Sequence, residues 1–376
     1  MPGRGESVDP ANHPDETFDL YSIPAFDSQQ PEVLPGAQIG STKQAVESGD
    51  VLLSKIVPHI RRAWVVGKNH GRRMIASSEW IVFRSSRVFP GYLRHLLVEN
   101  RFHAKFMSTV SGVGGSLLRA RPAYVTKIEI PLPPLPEQRR IAEVLDRAEA
   151  LRAKRHAALA QLDSLTQSLF LDLFGDPVSN PKKWPDPKLG GLLGFQQYGP
   201  RFYNESYSAD GIRIVRITDL SEEGVLDFSS MPRLVVSDED REKYALRSGD
   251  LIFARTGATV GKVALIHPND PPCIAGAYFI TMRFKDSVVP IYARAVLTAP
   301  SVRAIVAKRS RQAAQQNFSG PGLRQLPMPI PPLPLQREFA RRVSAVEKLK
   351  TAQRASLAEL DALFASLQHR AFRGEL

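Results

Sequence analysis

Two proline-rich phrases constrain this chain more than any other feature. They read IPLPPLPEQRRIA at residues 130–142 and IPPLPLQREFA at residues 330–340, and they align at an offset of 198 positions. Each phrase, called a proline collar below, precedes a run without proline or glycine that reaches Phe174 or Phe372. Proline fixes φ and removes a backbone donor, so each collar predicts a stiff extended entry, with a long helix beginning at Glu137-Gln138 and at Leu335-Gln336. Roughly 36 residues at about 1.5 Å each give a rod of about 54 Å.

The repeat extends beyond the collars. The segments 131–174 and 329–372 align without a gap, and a second pair of phrases, SGDVLLSK at 48–55 and SGDLIFAR at 248–255, lies upstream at similar distances. In each phrase a Gly-Asp turn leads into an apolar strand that ends at a cation. The sequence therefore predicts two equivalent domains, each followed by an equivalent helix.

Apolar residues recur at heptad-like intervals in both helices. Because such a seam would aggregate if exposed, we expect the two helices to pack on each other. Polar residues interrupt the seam at the same place in each helix, Arg152 and Arg155 in one and Lys350 and Gln353 in the other, which predicts a layer that sets register or admits a partner. The predicted seam and partner-contact residues are Ile141, Leu145, Ala148, Leu159, Leu162, Leu169, Phe339, Val343, Val346, Leu357, Leu360 and Leu367.

The charge is unevenly distributed. The chain of 376 residues has a net charge of +12, yet residues 1–50 carry two basic and nine acidic side chains, whereas residues 51–128 carry fourteen basic and two acidic ones. Aromatic residues alternate with the cations of the second stretch, which favours a polyanionic partner, although a solvated basic face would have the same pattern.

The hydrophobic fraction of 43% indicates folded domains, and the polar start with no long apolar run predicts a cytoplasmic protein without membrane contact. The single cysteine, Cys273, is expected to be an ordinary structural thiol.

The order of these parts resembles the DNA specificity subunit of type I restriction–modification systems. The phrases that carry the resemblance are LYSIPAFDSQQPE, GDVLLSKI, GDLIFARTGATVGKVALI, QQNFSGPGLRQLPMPIPPLP, the two collars and the Leu-Phe-Gly-Asp that ends the first helix. The resemblance covers nearly the whole chain after about Phe18, and the paired collars and Gly-Asp phrases recur together, in order, in both halves.

The resemblance implies an α+β fold with a pseudo-twofold internal repeat, in which two mixed α/β target-recognition domains are separated by two long helices that form an antiparallel coiled coil. The expected domains are a first, N-terminally short recognition domain at 1–129, a collar and helix at 130–176, a second recognition domain at 177–328, and a collar and helix at 329–376. Each domain would read half of a bipartite site in double-stranded DNA, and the helices would set the spacer.

The resemblance also implies partners. Methyltransferase subunits, in two copies, and restriction or translocase subunits would dock on the chain, which would serve DNA methylation and phage defence without performing chemistry itself. We expect no cofactor on this chain, because S-adenosylmethionine and ATP would be bound by the partner subunits.

Signals for an enzyme are weak. Asp270-Pro271-Pro272 resembles the base-holding motif of amino-methyltransferases, but Cys273 stands where that motif needs an aromatic residue. TGATVGKV at 256–263 lacks the first glycine and the final Ser or Thr of a phosphate loop, and GVGGSL at 112–117 lacks the third glycine of a dinucleotide fingerprint. The eight histidines show no metal-binding spacing, so the sequence predicts neither catalytic nor metal sites.

DNA readout requires cations for phosphates and guanine, amides for adenine, and aromatic or threonine side chains for methyl groups. The candidates lie on loops next to predicted strand ends, and each of them could equally be an ordinary surface residue. In the first domain they are Lys55, His59, Arg61, Arg62, Lys68, Arg72 and Arg73; in the second they are Gln197, Tyr198, Arg201, Tyr203, Arg255, Thr256, Thr259, Lys262, Gln316 and Asn317.

Several alternatives remain open at this point. The first domain has 47 residues before its Ser-Gly-Asp turn and the second has 71, so an upstream start, a natively short domain or a degraded copy that reads one half-site would each fit. The chain could also be the specificity partner of another methylation-based defence system. A coiled-coil scaffold that binds no DNA is a third alternative.

Overall fold

The computed structural model describes residues 6–112, 118–202, 206–310 and 317–376. It divides into two compact units: unit 1 comprises Met1–Ala157 with Arg354–Leu376, and unit 2 comprises Ala158–Gln353. Both boundaries fall inside the long helices, so each unit contains one of the repeated blocks and a part of each helix. The mixture of sheets and long helices confirms the α+β class that the sequence predicts.

Unit 1 contains ten strands and three short α-helices among its described residues. Its strands are β1 (Ser7–Val8), β2 (Thr17–Tyr21), β3 (Glu32–Pro35), β4 (Lys43–Ala45), β5 (Val51–Ser54), β6 (Ala63–Val65), β7 (Arg73–Ala76), β8 (Trp80–Phe83), β9 (Val110–Ser111) and β10 (Arg119–Ala120). Its short helices are α1 (Pro90–Val98), α2 (Asn100–Met107) and α3 (Pro122–Val125). The long helix α4 (Leu135–Phe174) begins in unit 1 and ends in unit 2.

Unit 2 has the corresponding elements. Its strands are β11 (Leu193–Tyr198), β12 (Ile212–Val215), β13 (Arg233–Leu234), β14 (Leu251–Ala254), β15 (Val263–Leu265), β16 (Cys273–Ala275) and β17 (Phe279–Phe284). Its short helices are α5 (Leu189–Leu192), α6 (Asp238–Tyr244), α7 (Pro290–Thr298), α8 (Pro300–Ser310) and α9 (Gly320–Arg324). The second long helix, α10 (Leu333–Ala371), begins in unit 2 and ends in unit 1. Both long helices begin two residues before the expected positions.

One antiparallel sheet is common to both units. Its order is β6-β5-β8 in unit 1 and β15-β14-β17 in unit 2, with Val51 opposite Val65 and Leu251 opposite Leu265. In unit 2 a fourth strand, β11, pairs with the outer side of β17, and among the described residues of unit 1 no strand has the corresponding place beside β8. The remaining sheets have the orders β1-β4-β7-β2-β3 and β10-β9 in unit 1 and β13-β12-β16 in unit 2.

The repeated Ser-Gly-Asp turn is a structural clamp. Gly49 and Gly249 have φ values of +90° and +89°, a left-handed conformation that glycine adopts without steric cost. The aspartate that follows is buried, and its carboxylate accepts two hydrogen bonds from one arginine, Arg84 in unit 1 and Arg283 in unit 2, all four at 2.7 Å. A buried carboxylate of this kind is stable only when it is paired, and the paired arginine ties the start of one strand to its neighbour.

The collar glutamines have the same partners in both units. The side-chain carbonyl of Gln138 accepts from the Phe89 backbone N–H at 2.7 Å, and its amide donates to the Pro133 carbonyl at 2.8 Å. Gln336 bonds to Val289 at 2.9 Å and to Pro331 at 2.9 Å in the same way. Both glutamines are buried. Each one therefore fixes its collar to the start of the helix that follows the common sheet.

The helix seams contribute to two kinds of core. Ile141 and Leu145 lie in the core of unit 1 with Phe372, and Phe339 and Val343 lie in the core of unit 2 with Phe170 and Phe174. Within each unit the segments of α4 and α10 run antiparallel. The predicted residues in the C-terminal halves of the helices are partly exposed, namely Leu159, Leu162, Leu169, Leu357, Leu360 and Leu367, whereas those in the N-terminal halves are buried, namely Ile141, Leu145, Ala148, Phe339, Val343 and Val346.

Two of the polar residues that interrupt the seam, Arg152 and Lys350, form ion pairs. In unit 1 Arg152 Nε lies 2.5 Å from Asp361 Oδ1, and its guanidinium lies 4.6 Å from the centre of the Phe364 ring. In unit 2 Lys350 Nζ lies 2.8 Å from Asp163 Oδ1. Arg152 and Lys350 are equivalent in the repeat, as are Asp163 and Asp361, so the same polar pairing occurs once in each unit.

A histidine and two carboxylates in unit 1 have the composition of a metal site. The Nε2 atom of His95 lies 2.7 Å from Asp146 Oδ1, and Glu149 completes the group. However, Arg94 Nη2 donates to Asp146 at 2.8 Å and to Glu149 at 2.7 Å, so a guanidinium already balances both carboxylates. Burial lowers the pKa of His95. We interpret the group as an ion-pair network that docks α1 on α4.

Candidate nucleic-acid interface

In unit 2 Arg255 directly follows strand β14 and lies at one end of the common sheet. We call this end of the sheet the tip. The Arg255 backbone N–H donates to the Tyr278 carbonyl at 2.9 Å, and its carbonyl accepts from Phe318 N at 2.7 Å. The guanidinium carbon lies 4.6 Å from the centre of the Tyr198 ring, and Nε donates to Asn317 Oδ1 at 3.2 Å. The arginine is therefore held in position by its backbone, by an aromatic ring and by an amide.

A groove with a volume of about 1220 Å³ opens beside this arginine. Tyr207 and Tyr278 line it and are 62% and 59% exposed, which leaves two aromatic rings available for contact. The Thr256 hydroxyl also lies at this groove, and it is buried without a hydrogen-bond partner in the part of the chain that the structure describes. The polar groups at the groove include Arg201, Arg216, Thr218, Arg255, Thr256 and Asn317. Cations, an amide, hydroxyls and aromatic rings are the groups that read base edges and phosphates.

The sequence predicted four of these groove residues, Arg201, Arg255, Thr256 and Asn317. Of two more predicted residues, Tyr198 lies under Arg255, and Gln197 pairs with Thr281 in the sheet. Thr259 has a local contact, because its hydroxyl donates to the Thr256 carbonyl at 3.1 Å. Lys262 is only 10% exposed and pairs with Glu222 at 2.6 Å. Tyr203 and Gln316 lie outside the described residues.

The tip of unit 1 has the same backbone connections. Lys55 follows β5, its backbone N–H donates to the Glu79 carbonyl at 3.0 Å, and its carbonyl accepts from Ala120 N at 2.8 Å. Its side chain differs from that of Arg255 in its partners, because Lys55 Nζ lies 4.0 Å from Glu79 Oε2 and Arg119 Nε lies 3.3 Å from the same oxygen. The two tips therefore have one framework and different side chains.

The predicted cations of unit 1 do not form one cluster. Lys55 and Arg62 lie at the tip, where the Arg62 carbonyl accepts from Ser54 N at 3.0 Å, and His59 lies in the loop that joins them. Lys68, Arg72 and Arg73 lie at the opposite end of β5 and β7, because β6 runs antiparallel to β5 and carries the chain away from the tip. The basic stretch of the sequence is therefore divided between two ends of the sheet.

Two of these arginines have structural partners. Arg72 Nε lies 2.6 Å from Asp19 Oδ1, a buried carboxylate that needs a counter-charge. Arg61 donates to the Val98 carbonyl at 3.0 Å and to Asn100 Oδ1 at 2.7 Å, so it links the β5–β6 loop to α1 and α2. Substitution of either would disturb packing, and neither is a good reporter of DNA contact.

The sequence analysis did not identify several tip residues as candidates for DNA contact. They are Glu79 and Arg119 in unit 1 and Tyr207, Arg216 and Tyr278 in unit 2. The 198-residue offset of the collars would have identified Arg119, because it places that residue opposite Asn317. Glu79 and Tyr278 could have been found as the residues that directly precede the equivalent strands β8 and β17.

Two further groups bear on function class. Cys273 is buried in β16, and this burial raises the pKa of its thiol to about 12, which fits a structural residue. Among the described residues, no helix combines the length and apolar character that crossing a membrane requires.

Known proteins are similar to this chain in sequence and in fold. A family model described as the type I restriction modification DNA specificity domain matches residues 181–361. The EcoKI specificity subunit of Escherichia coli strain K12 is 26% identical over 312 residues, which cover 77% of this chain and 66% of that protein. The EcoBI specificity subunit of Escherichia coli is 25% identical over 280 residues, which cover 66% of this chain and 58% of that protein. This chain thus spans 66% and 58% of the length of these two relatives.

Solved structures agree in fold. A chain from a structure of a type I restriction–modification system superposes with a TM-score of 0.58 at 23% identity, and the match covers 99% of this chain and 95% of that one. The S subunit of a type I restriction–modification system from M. genitalium superposes with a TM-score of 0.59 at 11% identity, covering 98% and 92%. Together with the family match at residues 181–361, these similarities show that the chain resembles the DNA specificity subunits of type I restriction–modification systems in sequence and in fold.

Proposed function

We propose that this chain is the specificity subunit of a type I restriction–modification complex and that it reads a bipartite site in double-stranded DNA. Each unit would contact one half-site with its tip. The observation that carries the proposal is the groove of unit 2, where Arg255, Asn317 and two exposed tyrosines surround an open space of about 1220 Å³. Arginine suits guanine or phosphate, and asparagine suits adenine.

The division between shared and differing residues supports this proposal. The pair formed by the aspartate of the Ser-Gly-Asp turn and an arginine occurs in both units, and the collar glutamine has the same partners in both. The side chains at the tips differ between the units, although the backbone hydrogen bonds there are the same. A protein that reads an asymmetric bipartite site needs this arrangement, in which the framework is constant and the contacting groups vary.

The partners follow from the relatives, which are named as specificity subunits of restriction enzymes. In this proposal, methyltransferase subunits in two copies and restriction or translocase subunits assemble on the chain, and S-adenosylmethionine and ATP bind to those subunits. The chain itself would perform no chemistry. It would act in the cytoplasm, where the DNA that it protects is located.

The direct test is to express the chain with the methyltransferase subunit of the same genome and to map methylated bases across the host DNA. The expected result is a two-part motif with a fixed gap, and the motif should disappear when the chain is omitted. A contiguous motif, or methylation that does not depend on the chain, would contradict the proposal.

A reader of a single half-site is a second candidate. The observation that favours it is the common sheet of unit 1, where the described residues provide no counterpart of β11, the strand that carries Tyr198 in unit 2. The same mapping separates the two candidates, because a single half-site reader would yield one short contiguous motif.

A further inference from the structure

Three positions are equivalent at the two tips and carry different chemistry. Lys55 corresponds to Arg255, since each donates its backbone N–H to the residue before the next strand of the common sheet. That residue is Glu79 in unit 1 and Tyr278 in unit 2. The third position is Arg119 or Asn317, and each forms a β-bridge with the residue that follows Lys55 or Arg255. The backbone therefore presents three side chains at equivalent places in both units.

Glu79 is unusual for its surroundings. Residues 51–128 contain only two acidic side chains, and the other one, Glu99, is buried and accepts the backbone N–H groups of Arg101 and Phe102 at the start of α2. Glu79 has no such helix-capping contact among the described residues. Its side chain is 28% exposed and lies between Lys55 and Arg119.

The geometry leaves this carboxylate able to accept further hydrogen bonds. Lys55 Nζ lies 4.0 Å from Glu79 Oε2, and the Arg119 nitrogens lie 3.3 and 3.4 Å from the two oxygens, whereas a strong charged pair has distances near 2.8 Å. The two cations also offset the repulsion that a carboxylate would meet next to DNA phosphates. An acidic group flanked by cations in this way suits contact with a base edge.

On the basis of the function proposed above, we infer that Glu79 is a specificity-determining residue, which accepts a hydrogen bond from the N4 amino group of a cytosine in the major groove. Guanine presents two acceptors there and thymine presents an acceptor and a methyl group, so a carboxylate is repelled by both. Adenine presents an amino group beside the N7 acceptor, which also repels a carboxylate. Cytosine is the base whose major-groove edge offers a donor without a neighbouring acceptor.

The same position in unit 2 selects differently. Tyr278 is 59% exposed and lines the groove next to Asn317 and Arg255, so this tip presents an aromatic ring, an amide and a guanidinium. None of these three side chains is a carboxylate, so none selects cytosine in the way that we infer for Glu79. The two half-sites are therefore expected to differ at the base that faces this position.

The test uses the chain assembled with its methyltransferase subunits and duplexes that carry the mapped site. Each base pair of both half-sites is replaced in turn, and the affinity is measured by competition. In the wild-type complex, replacement of one cytosine in the half-site read by unit 1 should weaken binding about tenfold. Glu79→Gln keeps the side-chain size and adds a donor, so the preference at that position should move from cytosine to adenine.

Two further variants serve as comparisons. Glu47→Gln is the matched control, because Glu47 is a 71% exposed carboxylate of the same unit that pairs with Arg84 at the other end of β5, and it should keep the wild-type preferences. Tyr278→Ala should alter only the other half-site.

The outcomes are separable. If Glu79→Gln keeps the full discrimination of the wild-type complex, the inference is wrong and the proposed function stands. If Glu79→Gln weakens binding equally for every base, Glu79 only positions Lys55 and Arg119, and the inference is also wrong. If Glu79→Ala abolishes binding, the base preferences of the isosteric variant Glu79→Gln decide whether Glu79 reads a base. If the wild-type complex recognises no two-part site, the proposed function itself fails.

Discussion

At the scale of single residues, the collar glutamines show how one side chain can define a junction. Gln138 and Gln336 each accept one backbone N–H and donate to backbone carbonyls of the collar and of the loop before α1 or α7. Proline has no backbone N–H, so a proline-rich segment offers few donors of its own to these carbonyls. A buried glutamine offers both an acceptor and two donors, which explains why the same residue occurs in both collars.

Replacing a collar glutamine should therefore destabilise its unit. Gln138→Leu or Gln336→Leu leaves a backbone N–H and carbonyls buried without partners, and we expect the free energy of unfolding to fall by about 1–3 kcal/mol. Urea unfolding followed by circular dichroism measures the change. Gln167→Leu, at an exposed position of α4, is the control and should have little effect. Equal stability of the collar and control variants would contradict this role.

At the scale of elements, the long helices use two kinds of contact along one seam. Near their starts the seam residues are buried in the domain cores, as Leu145 is in unit 1 and Phe339 in unit 2. Farther along, the cations Arg152 and Lys350 pair with an aspartate of the other helix. A polar pair in a seam disfavours other alignments of the two helices, because a shift of register would leave a partly buried cation unpaired.

The pair of Lys350 and Asp163 can be measured by a double-mutant cycle. The side chains are 7% and 50% exposed, and solvent around the aspartate screens the attraction, so we expect a coupling energy of about 0.5–1 kcal/mol. The cycle compares the unfolding free energies of Lys350→Met, Asp163→Asn and the double variant. Glu347 also lies 2.8 Å from Lys350, so Glu347→Gln should be tested beside them. A coupling energy near zero would show that the pair does not stabilise the helices.

At the scale of the whole molecule, the net charge of +12 has a consequence that can be tested on DNA binding. A cation that binds a DNA phosphate releases counterions. Each such contact adds about −0.9 to the slope of log association constant against log salt concentration. We expect the affinity of the assembled complex to fall steeply with salt for any duplex. Arg255→Ala should lower the affinity for the specific site by about 1–3 kcal/mol if the guanidinium reads a base.

The control for that measurement is Lys348→Ala, which removes an exposed cation of α10. The two variants remove one charge each, so a difference in their loss of specific affinity reports base contact by Arg255. Salt-insensitive binding would favour a scaffold that does not read DNA. Equal small losses for both variants would remove Arg255 from the readout.

Much of this architecture could be predicted because it depends on local patterns. The helix periods, the proline collars and the repeated Gly-Asp phrases indicated two equivalent domains with long helices, and the α+β fold is confirmed. The residues that we propose for DNA readout were harder to identify from the sequence. Arg201, Arg255, Thr256 and Asn317 do line one groove, but Arg61 and Arg72 hold the fold together through Asn100 and Asp19. A cation in a sequence does not reveal whether its partner will be a buried carboxylate or a solvent molecule.

The sequence by itself determined the repeat and the long helices, because these depend on the spacing of residues along the chain. Only the tertiary structure decided which side chains meet. It separated Lys68, Arg72 and Arg73 from Lys55, since successive antiparallel strands place neighbouring loops at opposite ends of a sheet. It also brought Glu79 to Arg119 across 40 positions of sequence. Such meetings depend on strand pairing between distant segments, which local residue patterns do not specify.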